Sequence, residues 1–139
     1  MSDTTIPPRE GLLLFAHGAR DPEWARPIEA VRARLLARLP GVDVRLAYLE
    51  LMAPDIASAG AELAAAGCAV VTVVPLFLGA GGHVRKDVPV RVEALQRAHP
   101  ATRFRLVAPL GEHPRVIDAL AEAAALSRPD DAPCAPPPP

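Results

Sequence analysis

The spacing of apolar residues changes period repeatedly along this chain. Gly11–Ala16 (GLLLFA) is a short unbroken apolar run, the form of a strand buried on both faces of a sheet. Asp21 and Pro22 then supply a helix start. Ile28, Val31, Leu35, Leu36 and Leu39 recur at helical spacing until Pro40-Gly41 breaks the pattern. Val42–Leu49 predicts a second strand, and Pro54–Ala66 a second helix closed by Gly67 as its C-terminal cap. Ala69–Val74 (AVVTVV), rich in β-branched residues, predicts a third strand. The glycine-rich segment Gly79-Ala80-Gly81-Gly82 follows, and a third helix is expected to open at Asp87 with Val88, Val92 and Leu95 on its apolar face. Arg103–Val107 predicts a fourth strand, and Pro114 starts a last helix carrying Val116, Ile117 and Leu120. The order βαβαβαβα with short links implies an α/β domain: a four-stranded parallel sheet with helices on both faces, joined by right-handed crossovers.

The ends of the chain read differently. Residues 1–10 are expected to be a flexible N-terminus, polar and carrying a Pro7-Pro8 pair. Ser127–Pro139 (SRPDDAPCAPPPP) holds six of the 17 prolines, which cannot donate to a helix or a ladder, so an extended or disordered tail is expected there. The folded unit is therefore expected over residues 11–126.

Composition narrows the function. Half of the 139 residues are apolar, enough for one real core, and 15 basic against 16 acidic residues give a net charge of −1. No basic excess argues for nucleic acid, and 4 % aromatics leaves no platform for stacked bases. The longest apolar run, Cys68–Leu78, is interrupted by Thr72 and Pro75 and is too short to cross a bilayer. No charged n-region with an apolar core follows Met1, so no signal peptide is expected. Two cysteines, Cys68 and Cys134, cannot make a disulfide framework, which fits a cytoplasmic location.

In open α/β sheets, ligands bind beyond the carboxyl ends of the strands. His17 follows the first strand, Glu50 ends the second, and His83 follows the third, with Arg85, Lys86 and Asp87 behind it. Glu112 and His113 follow the fourth. Two imidazoles and a carboxylate suit a borderline divalent metal such as Co²⁺, Ni²⁺, Fe²⁺ or Zn²⁺, and equally suit acid–base chemistry near neutral pH. Structural work fits them too: His17 can brace a turn and Glu50 can be a solvated strand end. The loop Gly79–Gly82 could cradle a phosphate, yet it matches neither G-x-x-x-x-G-K-[ST] nor G-x-G-x-x-G. Arg20, Arg85 and Lys86 flank the expected crevice and could meet ligand carboxylates, or simply be solvated. Leu76, Phe77 and Leu78 could pack against a flat ring or belong to the core.

Two strings, LLLFAHGARDPEW and VVPLFLGAGGHVRKDVP, resemble the short form of the CbiX sirohydrochlorin chelatases, and AYLELMAPDI and PLGEHPRVIDAL extend the resemblance from about Leu12 to Ala123. The resemblance implies a flavodoxin-like half of the class II chelatase type. It implies insertion of Co²⁺ or Fe²⁺ into sirohydrochlorin, for cobalamin or siroheme, without a permanently bound cofactor. It places metal-binding and catalytic residues at His17, Glu50 and His83, with His17 also the proton acceptor, and a substrate-contacting segment at Leu78, Gly79, Ala80, Gly81, Gly82 and His83. Glu50, Arg20 and Arg85 join the expected substrate contacts. Longer relatives carry two such halves, so a single half implies a symmetric homodimer. Two other readings compete: a non-catalytic metal or tetrapyrrole carrier using the same residues, and a histidine phosphatase. The latter class wants an arginine immediately before its histidine, where this chain has Ala16.

Overall fold

The computed structural model describes residues 8–130. Four strands, β1 (Arg9–Ala16), β2 (Val42–Tyr48), β3 (Cys68–Pro75) and β4 (Arg103–Leu106), form one sheet in the order β2-β1-β3-β4. Every pairing is parallel. The chain runs outward from β1 to β2, then returns across β1 to β3. That reversal makes the β1/β3 boundary the topological switch point, the expected place for a ligand crevice.

Four helices connect the strands: α1 (Arg26–Arg38), α2 (Ile56–Ala65), α3 (Gly82–Ala98) and α4 (Pro114–Leu126). Helices α2 and α3 cover one face, where Leu63 of α2 and Val88, Val92 and Leu95 of α3 close over Leu13, Phe15, Val71, Val73 and Phe104. At Gly60 the two helices come so close that a β-carbon would fall 2.5 Å from a methyl of Leu95. On the opposite face α1 sends Leu35 against Leu14, Val44 and Val74, and its Arg32 donates to the carbonyl of Val44 at 2.8 Å.

Three expectations are corrected here. Arg9 and Glu10 are not flexible: they open β1, and Arg9 reaches Ala66 O at 3.3 Å and Asp43 at 3.5 Å. Residues 1–7 and 131–139, most of the two expected loose ends, lie outside the described residues. The third helix opens at Gly82, not at Asp87, with Gly81 as N-cap in extended conformation and Arg85 N–H bonded to Gly81 O at 3.0 Å. The glycine-rich segment Gly79–Gly82 was expected to be loop, but its last glycine already belongs to the helix, which also carries Pro89 internally. His83, Arg85 and Lys86 therefore ride on the first turns of α3 rather than in a loop.

The third correction concerns α4. It touches chiefly the 3-10 turn Leu110–Glu112 from which it springs, none of its residues is buried, and Ile117, Leu120 and Leu126 are exposed. The sheet face opposite α2 and α3 is polar in its β3–β4 half, where Thr72 pairs in register with Arg105 and the short β4 exposes Arg103. Such a surface offers an apolar helix face little gain from burial. Helices do lie on both faces of the sheet, but α4 lies on neither.

Helix α2 begins at Ile56 rather than at Pro54 because Asp55 is its cap: the Asp55 Oδ1 accepts from Ser58 N–H at 2.8 Å. That backbone bond holds the Asp55 carboxyl below the usual carboxylate range. A lowered folded-state pKa gives stability that is present above the unfolded value and lost as pH falls through the folded one. Replacing Asp55 by Ala is expected to cost about 1 kcal/mol at pH 7. Asp55→Asn should keep most of the cap while removing its share of the acid dependence, as urea unfolding at neutral and acid pH will read.

Candidate metal and substrate site

The end of β1 builds the centre of the site. The ladder continues past β2 into the following turn: Leu49 N–H bonds to Ala16 O at 2.9 Å, and Glu50 N–H to His17 O at 3.1 Å. Two successive backbone bonds thus hold Glu50 beside His17. Gly18 makes the approach possible. It is buried, its φ is +95°, and a β-carbon there would fall on the carbonyl oxygen of Glu50. Only glycine takes both the left-handed conformation and the contact without strain. Leu51, with φ of +64°, completes the turn and leaves its side chain exposed.

The outcome is a pair of open side chains with His17 Nε2 3.5 Å from Glu50 Oε1. The imidazole stands edge-on to Phe77, ring centroids 6.2 Å apart, and Phe77 in turn packs edge-on to Phe15 in the core. The histidine is braced from behind and free in front. An imidazole nitrogen and a carboxylate oxygen facing the same space can hold a divalent cation, or take and offset a proton.

Leu78–Gly82 follows β3 on the other side of the switch point. Leu78 is 69 % exposed, and Gly79, Gly81 and Gly82 have no heavy atom within 4 Å of where a β-carbon would stand. Arg85 ties this segment down. Its Nε donates to Ala80 O at 3.1 Å, and its Nη2 reaches Glu112 Oε1 at 3.3 Å. Beneath lies an apolar cleft of about 280 Å³, lined by Phe77, Val84, Val88, Leu106 and Pro109 with Arg85 at its edge. Arg20 stands exposed three residues beyond His17.

The structure joins His17 to Glu50. It does not bring His83 into their company: among the described residues, no three His, Cys, Asp or Glu side chains come close enough together to hold a metal ion. His83 is exposed on the first turn of α3. Two residues that shape the site went unnoticed in the sequence. Gly18 lies inside the H-G-A-R-D string but was given no task. Gly111 lets the turn before α4 approach Leu78 where a β-carbon would overlap its backbone, while its N–H bonds to Phe77 O at 2.9 Å. Both are glycines one residue from a polar group at a strand end, a signal available in the sequence but not distinctive. Cys68 takes no part: it is buried, and burial pushes its thiol up.

Comparison with known proteins agrees with this architecture. A sirohydrochlorin cobaltochelatase of Sulfolobus acidocaldarius is 30 % identical over 114 residues, covering 82 % of this chain and 89 % of its own. The crystal structure of a cobalamin biosynthesis CbiX protein from Marinobacter aquaeolei superimposes with a TM-score of 0.74 at 32 % identity, covering 84 % of this chain and 95 % of that one. The sirohydrochlorin chelatase SirB of Bacillus subtilis subspecies spizizenii, in complex with cobalt, shares the fold with a TM-score of 0.74 at 22 % identity. There 86 % of this chain matches 51 % of SirB. The CbiX family model matches residues 11–126, every helix and strand but the first two residues of β1, and the chain belongs to the CbiX family.

Proposed function

We propose that this protein is a chelatase that inserts a divalent metal, Co²⁺ or Fe²⁺, into sirohydrochlorin on the way to cobalamin or siroheme. The observation that carries the proposal is the open pairing of His17 with Glu50, 3.5 Å apart at the switch point of a CbiX fold. Metalation has to deliver a cation to the ring centre and remove two pyrrole N–H protons. A neutral His17 holds the incoming metal, releases it to the ring nitrogens, and accepts one of the two protons, while the other leaves to solvent water at the open site. Glu50 offsets the positive charge of metal and imidazolium in turn. His83 supplies the second imidazole from the first turn of α3, and the bare glycines before it let the macrocycle approach the backbone. Nickel fits the same donor set, so supply as well as geometry decides which metal enters. The metal is substrate, and no permanent cofactor is required.

Sirohydrochlorin carries many carboxylates, which gives Arg20 and Arg85 a task. Arg85 is paired with Glu112, but both side chains are largely exposed, and such pairs contribute little. A substrate carboxylate can therefore displace Glu112 at small cost and accept a bidentate bond. The apolar cleft is too small to enclose a tetrapyrrole, so the ring lies across an open surface that a second copy of the chain closes. The protein accordingly works as a homodimer. Among the described residues no helix is long and apolar enough to cross a membrane; a cytoplasmic location belongs to the same proposal.

An absorbance assay of sirohydrochlorin with Co²⁺, and separately with Fe²⁺, tests the proposal. Metalation faster than the protein-free rate is expected, and His83→Ala should slow it at least about ten-fold, the low side of what a lost metal ligand or proton-transfer group costs. Tight, stoichiometric binding without acceleration would identify a carrier instead.

A further inference from the structure

The bend after β2 holds a residue that its backbone does not favour. Met52 N–H bonds to Glu50 O at 2.8 Å, so Glu50, Leu51 and Met52 close a three-residue turn with Leu51 at its centre and φ of +64°. A γ-turn with positive φ at its centre is the rare and strained of the two forms. Glycine or asparagine takes a positive φ readily; a bulky leucine there is an outlier. Among the described residues no other non-glycine residue has a positive φ. Both neighbours fix the turn in place. Glu50 N–H is bonded to His17 O at 3.1 Å, and Met52 packs against the buried Ala16, Ala25 and Tyr48. Leu51 itself is 60 % exposed. A single exposed leucine is ordinary on a protein surface. A leucine kept exposed in a conformation that penalises its side chain is not, and such strain gathers where ligands are held.

The position of Leu51 in the sheet indicates the kind of ligand. The order β2-β1-β3 puts the end of β1, with His17, between the ends of β2 and β3. Leu51 follows β2, and Leu78, 69 % exposed, follows β3. Two exposed leucines therefore flank the histidine, in segments leaving strands that lie two interstrand spacings apart, about 10 Å. Polar donors in the middle with apolar groups to either side fit a flat ligand that has an apolar face and a polar centre. A metal-free tetrapyrrole has this character: its nitrogens lie at the centre of the ring, and its carboxylates are confined to the rim.

Resting on the chelatase reading above, we infer that Leu51 is a substrate-binding residue, which with Leu78 supports one face of the macrocycle so that the ring nitrogens stand over His17 and Glu50. The contact is apolar and is made alike before and during metal transfer. It therefore lowers KM for the macrocycle and leaves kcat to His17 and Glu50.

Steady-state metalation at saturating Co²⁺ with sirohydrochlorin varied, beside thermal unfolding, tests this. Leu51→Gly is expected to raise KM about five- to ten-fold, the affinity lost when the exposed part of a leucine no longer leaves water on binding. Its kcat should stay within about two-fold, as for a contact common to ground and transition states. Its melting temperature should not fall, because glycine takes φ of +64° without strain. Leu51→Asn, which tolerates the turn but is polar, should match Leu51→Gly in KM. Leu51→Met, apolar and of similar volume, should keep KM within about two-fold of the wild type. A purely structural role would give the opposite pattern, a lower melting temperature with kcat falling as Glu50 shifts. Unchanged KM in Leu51→Gly overturns the assignment, as does a joint fall in kcat and melting temperature, or a methionine variant no better than glycine. The wild type decides the underlying reading separately. If it binds sirohydrochlorin without accelerating metalation, the chelatase reading fails, and the dissociation constants of the same variants for sirohydrochlorin decide the role of Leu51. A wild type that does not bind sirohydrochlorin overturns both.

Discussion

Replacing His17 by Ala is expected to lower kcat for metal insertion by about 10² to 10⁴, the range lost when a positioned proton-transfer group is removed. The large value follows from two tasks meeting in one ring. Nε2 is the atom that faces Glu50, at 3.5 Å, on a side chain that is half exposed. On the proposed mechanism the same nitrogen would hold the metal and, as the ring nitrogens take it over, offer its freed lone pair to one of the departing protons. Removing it takes away both functions at once. Glu50→Gln keeps the shape and the oxygen but removes the charge, and is expected to cost less, about ten-fold, because offsetting charge at an exposed position is screened by water. The fold should be indifferent to both changes. The His17 side chain is 52 % exposed and its one aromatic neighbour, Phe77, remains packed against Phe15. Steady-state metalation rates together with thermal unfolding read the two effects apart. A His17→Ala enzyme that keeps kcat within about three-fold, at an unchanged melting temperature, would remove His17 from the chemistry and with it the mechanism proposed here.

Much of this was legible in the chain, and the exceptions have physical reasons. Strand β1 is largely buried and β3 is rich in β-branched residues, so composition and local shape agree on them. Their order with the intervening helices gave the parallel sheet. His17 and Glu50 were readable as neighbours because each follows a strand of that sheet, and β1 and β2 pair along their full length. The start of α3 was not readable: glycine and proline carry a local preference, and the tertiary contacts of Val84 and Val88 with the core overrode it. The bareness of α4 was hidden for a different reason. Its apolar stripe is real, but a stripe says only that something must cover it, not which surface does. His83 was read as a companion of His17 and Glu50 from topology alone, and topology places residues at an edge without bringing their side chains together.

The other large effect is expected at Gly18. An alanine there meets two penalties that can be separated. The first is conformational: φ of +95° costs an L-residue roughly 1 to 2 kcal/mol. Gly67 gives that cost alone, since its φ is +86° but nothing lies within 4 Å of its would-be β-carbon. The second is steric, and it falls on backbone. The new carbon would overlap Glu50 O, whose own residue is tied to His17 O by its N–H and cannot retreat without breaking that bond. The expected total is about 2 to 4 kcal/mol, with the melting temperature of Gly18→Ala lowered by roughly 10 °C. Gly67→Ala should lose about 1 kcal/mol, and Gly79→Ala, with neither a positive φ nor a neighbour, almost nothing. Activity should not follow stability in this series. Measured well below its melting temperature, folded Gly18→Ala is expected to metalate sirohydrochlorin nearly as poorly as His17→Ala, because relieving the overlap moves Glu50 away from the imidazole. Gly67→Ala should retain its rate despite its lost stability. Should Gly18→Ala be no less stable than Gly67→Ala and fully active, the close approach of the two turns would not be what sets His17 against Glu50.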